Sequence, residues 1–302
     1  MITDRLIEGI IAMQNPTCVG LDTLFDYLPD GMKEGVKTFG QVAERVFEFN
    51  KKVIDSVYDV VPSVKVQIAY YEMYGVDGMK AYEETLKYAA EKGLVVIADA
   101  KRNDIGSTAS CYAKTFLGET SVNDNMLKAF PADYVTVNGY LGTDGIAPFG
   151  EEWQKHDKGI FVLVKTSNPS GAEIQNVVLE NGVPMYEYVG GLVEKWGEST
   201  VGKYGYSVVG AVVGATHPTE AARLREVLPH TFFLIPGYGA QGGKAEMLKS
   251  CFGKNGLGGV VNNSRGILCA YKKNGGTYYE AARAASIAMQ KDLSEVIGKM
   301  GR

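Results

Sequence analysis

"VVIADAKRNDIGST", residues 95–108, runs from apolar residues straight into charge: Asp99, Lys101, Arg102 and Asp104 fall within a few positions. An apolar run of that length closed by polar residues fits a strand buried on both faces, and the charges stand where it would leave the core. The same design recurs in "TCVGLD" (17–22), "VKVQIAYYE" (64–72), "YVTVNGY" (134–140), "IFVLVKTSN" (160–168), "VVGAVVGAT" (208–216), "FFLIPGYG" (232–239) and "GVVNNSRG" (259–266). They are near-continuously apolar, as strands buried on both faces are.

Between these runs lie stretches with helical spacing, among them residues 41–60, 78–93, 218–228 and 279–300. Pro218 suits a first helical turn, and Gly93 a position just past a helix end. Eight alternating βα units without a Pro/Gly/Ser linker predict an α/β fold, a single (β/α)₈ TIM barrel over residues 1–302, with its site at the C-terminal strand ends. A doubly wound open sheet is the alternative, because periodicity does not establish closure. The connection from 169 to 207 is long for one βα link, and its first part, 169–184, reads as an extra active-site loop.

Composition narrows the function classes. Hydrophobic residues make up 45% and charged residues 22% of the 302 residues, as in ordinary globular proteins. A formal net charge of -4 gives no bulk attraction to nucleic acid or anionic membrane, so an anionic ligand must be held by locally placed groups. The N-terminal "MITDRLIEGIIAMQNP" carries Asp4, Arg5 and Glu8 and reads as an amphipathic helix, not a signal peptide. No apolar run reaches the length of a bilayer span, so a soluble, cytoplasmic protein is expected. Cys18, Cys111, Cys251 and Cys269 lie far apart, as buried reduced thiols would, with neither disulfide nor zinc spacing.

In a barrel the polar residues that end the runs converge: Asp22 from the first strand, Lys65 in the second, Asp99 and Lys101 from the third, and Lys165, Thr166, Ser167 and Asn168 from the fifth. Charges at strand ends are costly unless paired or used. After the seventh and eighth strands, Gly237, Gly239, Gly242 and Gly243 would let backbone N–H groups approach an anion, and Arg265 would stand beside them, where this fold commonly grips phosphate. Asp99 and Lys101, two apart on an extended segment, should point the same way. A lysine flanked by carboxylates stays protonated, which favours a proton donor or electrostatic stabiliser over a Schiff-base amine.

These residues resemble the orotidine 5′-phosphate decarboxylase family from about residue 18 to 268. "DAKRNDIGST" resembles the family's Asp-x-Lys-x-x-Asp-Ile signature, "GLD" and "VKVQ" its ribose-contacting strand ends, and "PGYGAQGG" with "NSRG" its phosphate grip. "KTSNPSG" and "GATHPTEAARLR" look like its longer bacterial branch. The resemblance implies decarboxylation of orotidine 5′-monophosphate to UMP, with no metal or organic cofactor. Asp99, Lys101 and Asp104 would then surround the reacting carbon, Asp104 coming from the second protomer of a homodimer. Asp22 and Lys65 would bind the ribose, Ser167 the pyrimidine, and Gln241, Ser264 and Arg265 the phosphate, with Thr108, Pro236, Gly237 and Gly239 also substrate-binding. Asn103 stands where the family more often has Gly, and Asn tolerates left-handed geometry.

Three other readings compete. In a metal-dependent sugar-phosphate decarboxylase or aldolase of the same fold, Asp99 would help bind Mg²⁺. A silent phosphate-ligand binder would not need the charged triad, and the triad is also open to a purely structural role. His217 should mark a helix entrance, His156 and His230 the surface, and Tyr70, Tyr71 and Tyr74 packing between barrel and helices.

Overall fold

The computed structural model describes residues 1–239 and 242–301. Strands β1 (Thr17–Gly20), β2 (Ser63–Gln67), β3 (Val95–Arg102), β6 (Tyr134–Val137), β7 (Gly159–Lys165), β8 (Val209–Val213), β9 (Phe233–Ile235) and β10 (Gly259–Asn263) pair in parallel. They close into a barrel of order β1-β10-β9-β8-β7-β6-β3-β2, so the (β/α)₈ reading holds and the open sheet does not. The hairpin β4 (Thr120–Val122) and β5 (Asn125–Leu127) stands outside the barrel, and its exposed side chains give no apolar run to announce it.

The main helices are α1 (Ile2–Met13), α2 (Phe39–Val57), α3 (Gly75–Glu91), α4 (Gly106–Leu117), α5 (Thr143–His156), α6 (Met185–Gly197), α7 (Pro218–Val227) and α8 (Tyr278–Ile297). Pro218 opens α7, with His217 as its N-cap residue, and Gly93 follows α3 with φ 83°. Helices α2 and α8 are capped by the Thr38 and Thr277 hydroxyls, which accept from Gln41 N and Glu280 N.

Helix α1 lies beneath the N-terminal strand ends. Its Leu6, Ile7 and Ile10 are buried, and Thr3 Oγ1 meets Tyr134 Oη at 2.7 Å and Ser207 O at 3.0 Å. None of the described helices is long and apolar enough to cross a membrane.

Apart from β3, the strands are shorter than the runs that predict them. The second stops at Gln67, and the chain turns into a single helical turn, Ala69–Glu72. Tyr71 drives that turn, since its ring is buried and its hydroxyl donates to Leu21 O at 2.9 Å. Tyr71 and Tyr74 are therefore packing residues, whereas Tyr70 faces the cavity described below. All four thiols are free; Cys18 and Cys251 are buried and pushed up to about 12 by burial. Cys111 departs from the buried-thiol expectation because it lies on the outer face of α4. His230 is exposed as expected, whereas His156 is half-buried beside Glu152.

Candidate active site

The strands' C-terminal ends open on a cavity of about 450 Å³. Asp22, Asp99, Lys101, Ser167, Pro236, Gly237, Ser264 and Arg265 line it, as their place at the ends of the apolar runs predicts, together with Lys65 from inside β2. Thr108 lies exposed on α4 and is not among the lining residues. Asp104 also lies outside the lining, its Oδ1 accepting from Ile105 N at 2.8 Å. Gln241 falls outside the described residues.

The charges form one connected chain. Lys65 Nζ sits 3.1 Å from Asp22 Oδ1 and 2.8 Å from Asp99 Oδ2, and Lys101 Nζ is 2.6 Å from Asp99 Oδ1. Side-chain exposure is 4% for Lys65, 8% for Asp99 and 44% for Lys101, so only the last ammonium reaches freely into the opening. Burial alone would raise the Asp99 carboxyl, but Lys65 and Lys101 outweigh it and hold its pKa well below the usual carboxylate range. Burial also works against the Lys65 ammonium, yet Asp22 and Asp99 prevail and raise its pKa above the ordinary lysine value.

Alternation along β3 does not account for the Asp99–Lys101 contact. Register slips between Ala98 and Arg102 in a bulge, and Lys101 takes φ 48°, a left-handed backbone unusual for a side-chain-bearing residue. Thr136 holds it there: Lys101 N donates to Thr136 Oγ1 at 2.9 Å, and that hydroxyl donates to Asp99 Oδ1 at 2.8 Å. Asn103, expected to take the left-handed turn, does not; the bulge has moved that conformation to the lysine. Arg102, third of the four charges in this stretch, pairs with Glu72 and braces the turn after β2.

Thr136 was the residue to notice, the one aliphatic hydroxyl inside "YVTVNGY", but only pairing with β3 gives it a partner. Tyr27, Tyr238 and Asn262 also line the cavity without sequence forewarning. At the opposite end from Lys101, Gly237 (φ 104°) and Gly239 (φ 71°) form a turn closed by Gly239 N to Gly243 O at 2.8 Å. Tyr238 anchors this turn to α8 through a hydrogen bond to Asp292.

The segment after β7 folds back on its own strand. Lys165 is buried, donates to Asn176 Oδ1 at 2.6 Å and lies 5.4 Å from the Tyr186 ring centre. Burial lowers its pKa, with Glu220 opposing. Gln175 accepts from Thr166 N at 3.0 Å and donates to Thr166 Oγ1 at 2.6 Å, while the lining residues of this region end at Asn168. A charge-assisted hydrogen bond contributes about 1.5–3 kcal/mol, so Lys165→Met should raise opening of 169–184 on the order of ten- to a hundredfold. Limited proteolysis would show this as faster cleavage there, and an unchanged rate would mean that Lys165 does not hold the segment.

A barrel carrying paired charges at one end of its cavity and a glycine turn beside an arginine at the other is a TIM-barrel enzyme. The chain belongs to the orotidine 5′-phosphate decarboxylase / HUMPS family, whose profile matches residues 17–274. It is 44% identical over 301 residues to orotidine 5′-phosphate decarboxylase of Clostridium acetobutylicum, covering 98% of this chain and 100% of that one. The enzyme of the same name from Clostridium perfringens is 43% identical over 302 residues, covering 99% and 100%. OMP decarboxylase of Leishmania donovani superposes with a TM-score of 0.75 at 28% identity, covering 98% of both chains. The chain is accordingly an enzyme of the carboxy-lyase kind.

Proposed function

We propose that the chain decarboxylates orotidine 5′-monophosphate to UMP and CO₂ without a cofactor, with Lys101 protonating the carbon that loses CO₂. The carrying observation is the Lys101 ammonium, held 2.6 Å from Asp99 on a strained bulge at the cavity wall. The glycine turn and Arg265 take the 5′-phosphate, Gln241 joins them by family resemblance, and Asp22 and Lys65 take the ribose hydroxyls. Ser167 faces the pyrimidine, and Pro236 lines the pocket beside it.

Breaking the bond from C6 to the carboxylate leaves its electron pair on C6, where the ring offers no ordinary sink. The Lys101 cation favours that carbanion and then transfers a proton to it, to be reprotonated from solvent. Asp99, ionised between two ammonium groups, adds repulsion against the departing carboxylate. Two unit charges about 4 Å apart at an effective dielectric near 20 interact by about 4 kcal/mol, roughly three powers of ten in rate. Enzymes commonly supply about 8–23 kcal/mol, so carbanion stabilisation and the anchored ribose phosphate must provide the rest.

Both Asp99 oxygens are already engaged, Oδ1 by Lys101 and Thr136 and Oδ2 by Lys65. That supports the cofactor-free reading over one in which Asp99 binds Mg²⁺. Asp104 stands outside the cavity beside exposed Ile105, which supports the reading of a homodimer in which Asp104 serves the site of a second copy. Purified protein in excess EDTA should convert orotidine 5′-monophosphate to UMP, followed by the ultraviolet change. Activity that disappears with chelator and returns with Mg²⁺ would overturn the cofactor-free reading.

A further inference from the structure

We propose that Ser264 is a positioning residue that acts through Asp22 at the ribose end of the cavity, and not a donor to the phosphate. Its hydroxyl donates to Asp22 Oδ2 at 2.7 Å, and its oxygen accepts from Asn262 Nδ2 at 3.3 Å. A serine hydroxyl carries one proton. With the Asn262 amide proton directed at the oxygen, that proton goes to the carboxylate, and only lone pairs remain for anything else. A phosphate dianion offers acceptors alone, so it gains nothing from this hydroxyl.

The backbone is shaped around the contact. Strands β1 and β10 are neighbours, with Val19 opposite Asn263, which brings residues 242 positions apart together. A methyl group on Gly20 would fall 1.9 Å from Ser264 Oγ and 2.9 Å from Asn262 Oδ1, so only glycine leaves room for the hydroxyl to reach Asp22. With Lys65 on Oδ1 and Ser264 on Oδ2, the Asp22 carboxylate is fixed before a ligand arrives.

This inference rests on the reading of the cavity as a nucleotide site, so wild-type turnover of orotidine 5′-monophosphate is measured first; a wild type without it sinks that reading and not the role of Ser264. Inhibition constants for UMP and for uridine are then compared in wild type, Ser264→Ala, Asp22→Asn and the double variant. Ser264→Ala should weaken UMP and uridine by the same factor, roughly tenfold for a hydrogen bond to a charged group. In the Asp22→Asn background the further loss should fall below about twofold, because the two residues act as one unit. Ser264→Thr, which keeps the hydroxyl, should restore binding, and Ser264→Cys gives the same comparison if the alanine variant does not fold. Weakened UMP with unchanged uridine, additive losses in the double variant, or no loss for either ligand would each overturn the proposal.

Discussion

Lys101→Ala should abolish turnover, by on the order of 10⁴-fold or more, while UMP still binds within a few-fold of wild type. On the proposed mechanism the variant removes both the cation facing the developing carbanion and the proton that quenches it. It leaves the proposed phosphate grip, the glycine turn and Arg265, intact, so ground-state binding should survive. Folding should survive too, because the Lys101 side chain is 44% exposed and Asp99 keeps Lys65 and Thr136. Wild-type-like turnover would remove Lys101 from the chemistry. Asp104→Ala should be similarly inactive alone. If the chain pairs as proposed, mixing the two inactive proteins under conditions that allow exchange should recover about a quarter of wild-type activity, since random pairing makes half the dimers mixed and each of those carries one intact site. Absence of recovery, with exchange shown independently, would refute a site shared between protomers.

Lys65→Met should destabilise the fold by about 3–5 kcal/mol at pH 7, because it leaves two carboxylates at the cavity floor without the buried cation between them. The pH dependence follows from the direction of the shifts. The folded Asp99 carboxyl lies below its unfolded value, so its contribution is complete above the unfolded pKa of about 3.9 and drains away as pH falls through the folded value. In Lys65→Met, burial of Asp99 meets less opposition and its folded pKa rises, so acid relieves the variant where it weakens the wild type. Urea denaturation should show the gap between them at its widest near neutrality and narrowing toward pH 4. A gap that stays constant would mean that Lys65 and Asp99 are not electrostatically coupled. Lys65 carries the opposite sign: its raised pKa contributes stability below the unfolded lysine value that is lost only as pH climbs through the folded one.

The sequence by itself determined the eight βα units and most of the cavity wall, while closure of the strands into a barrel was decided by the tertiary structure. Burial on both faces makes barrel strands continuously apolar, and their charged ends have few places to go, so Asp22, Lys65, Asp99, Lys101 and Arg265 could be read from position alone. Local patterns carry no information about pairing across the chain, and there the tertiary structure decided. The bulge in β3, with Lys101 at φ 48°, arises from register against Val135 and Val137 and from the Thr136 hydroxyl. The hydroxyl of Ser264 meets Asp22 only because the first and last barrel strands are adjacent. Tyr71 and Tyr70 look alike in sequence, yet a one-turn helix sends the first into the core and the second to the cavity. Side-chain roles of this kind depend on contacts made after closure, whereas strand formation depends on burial written residue by residue.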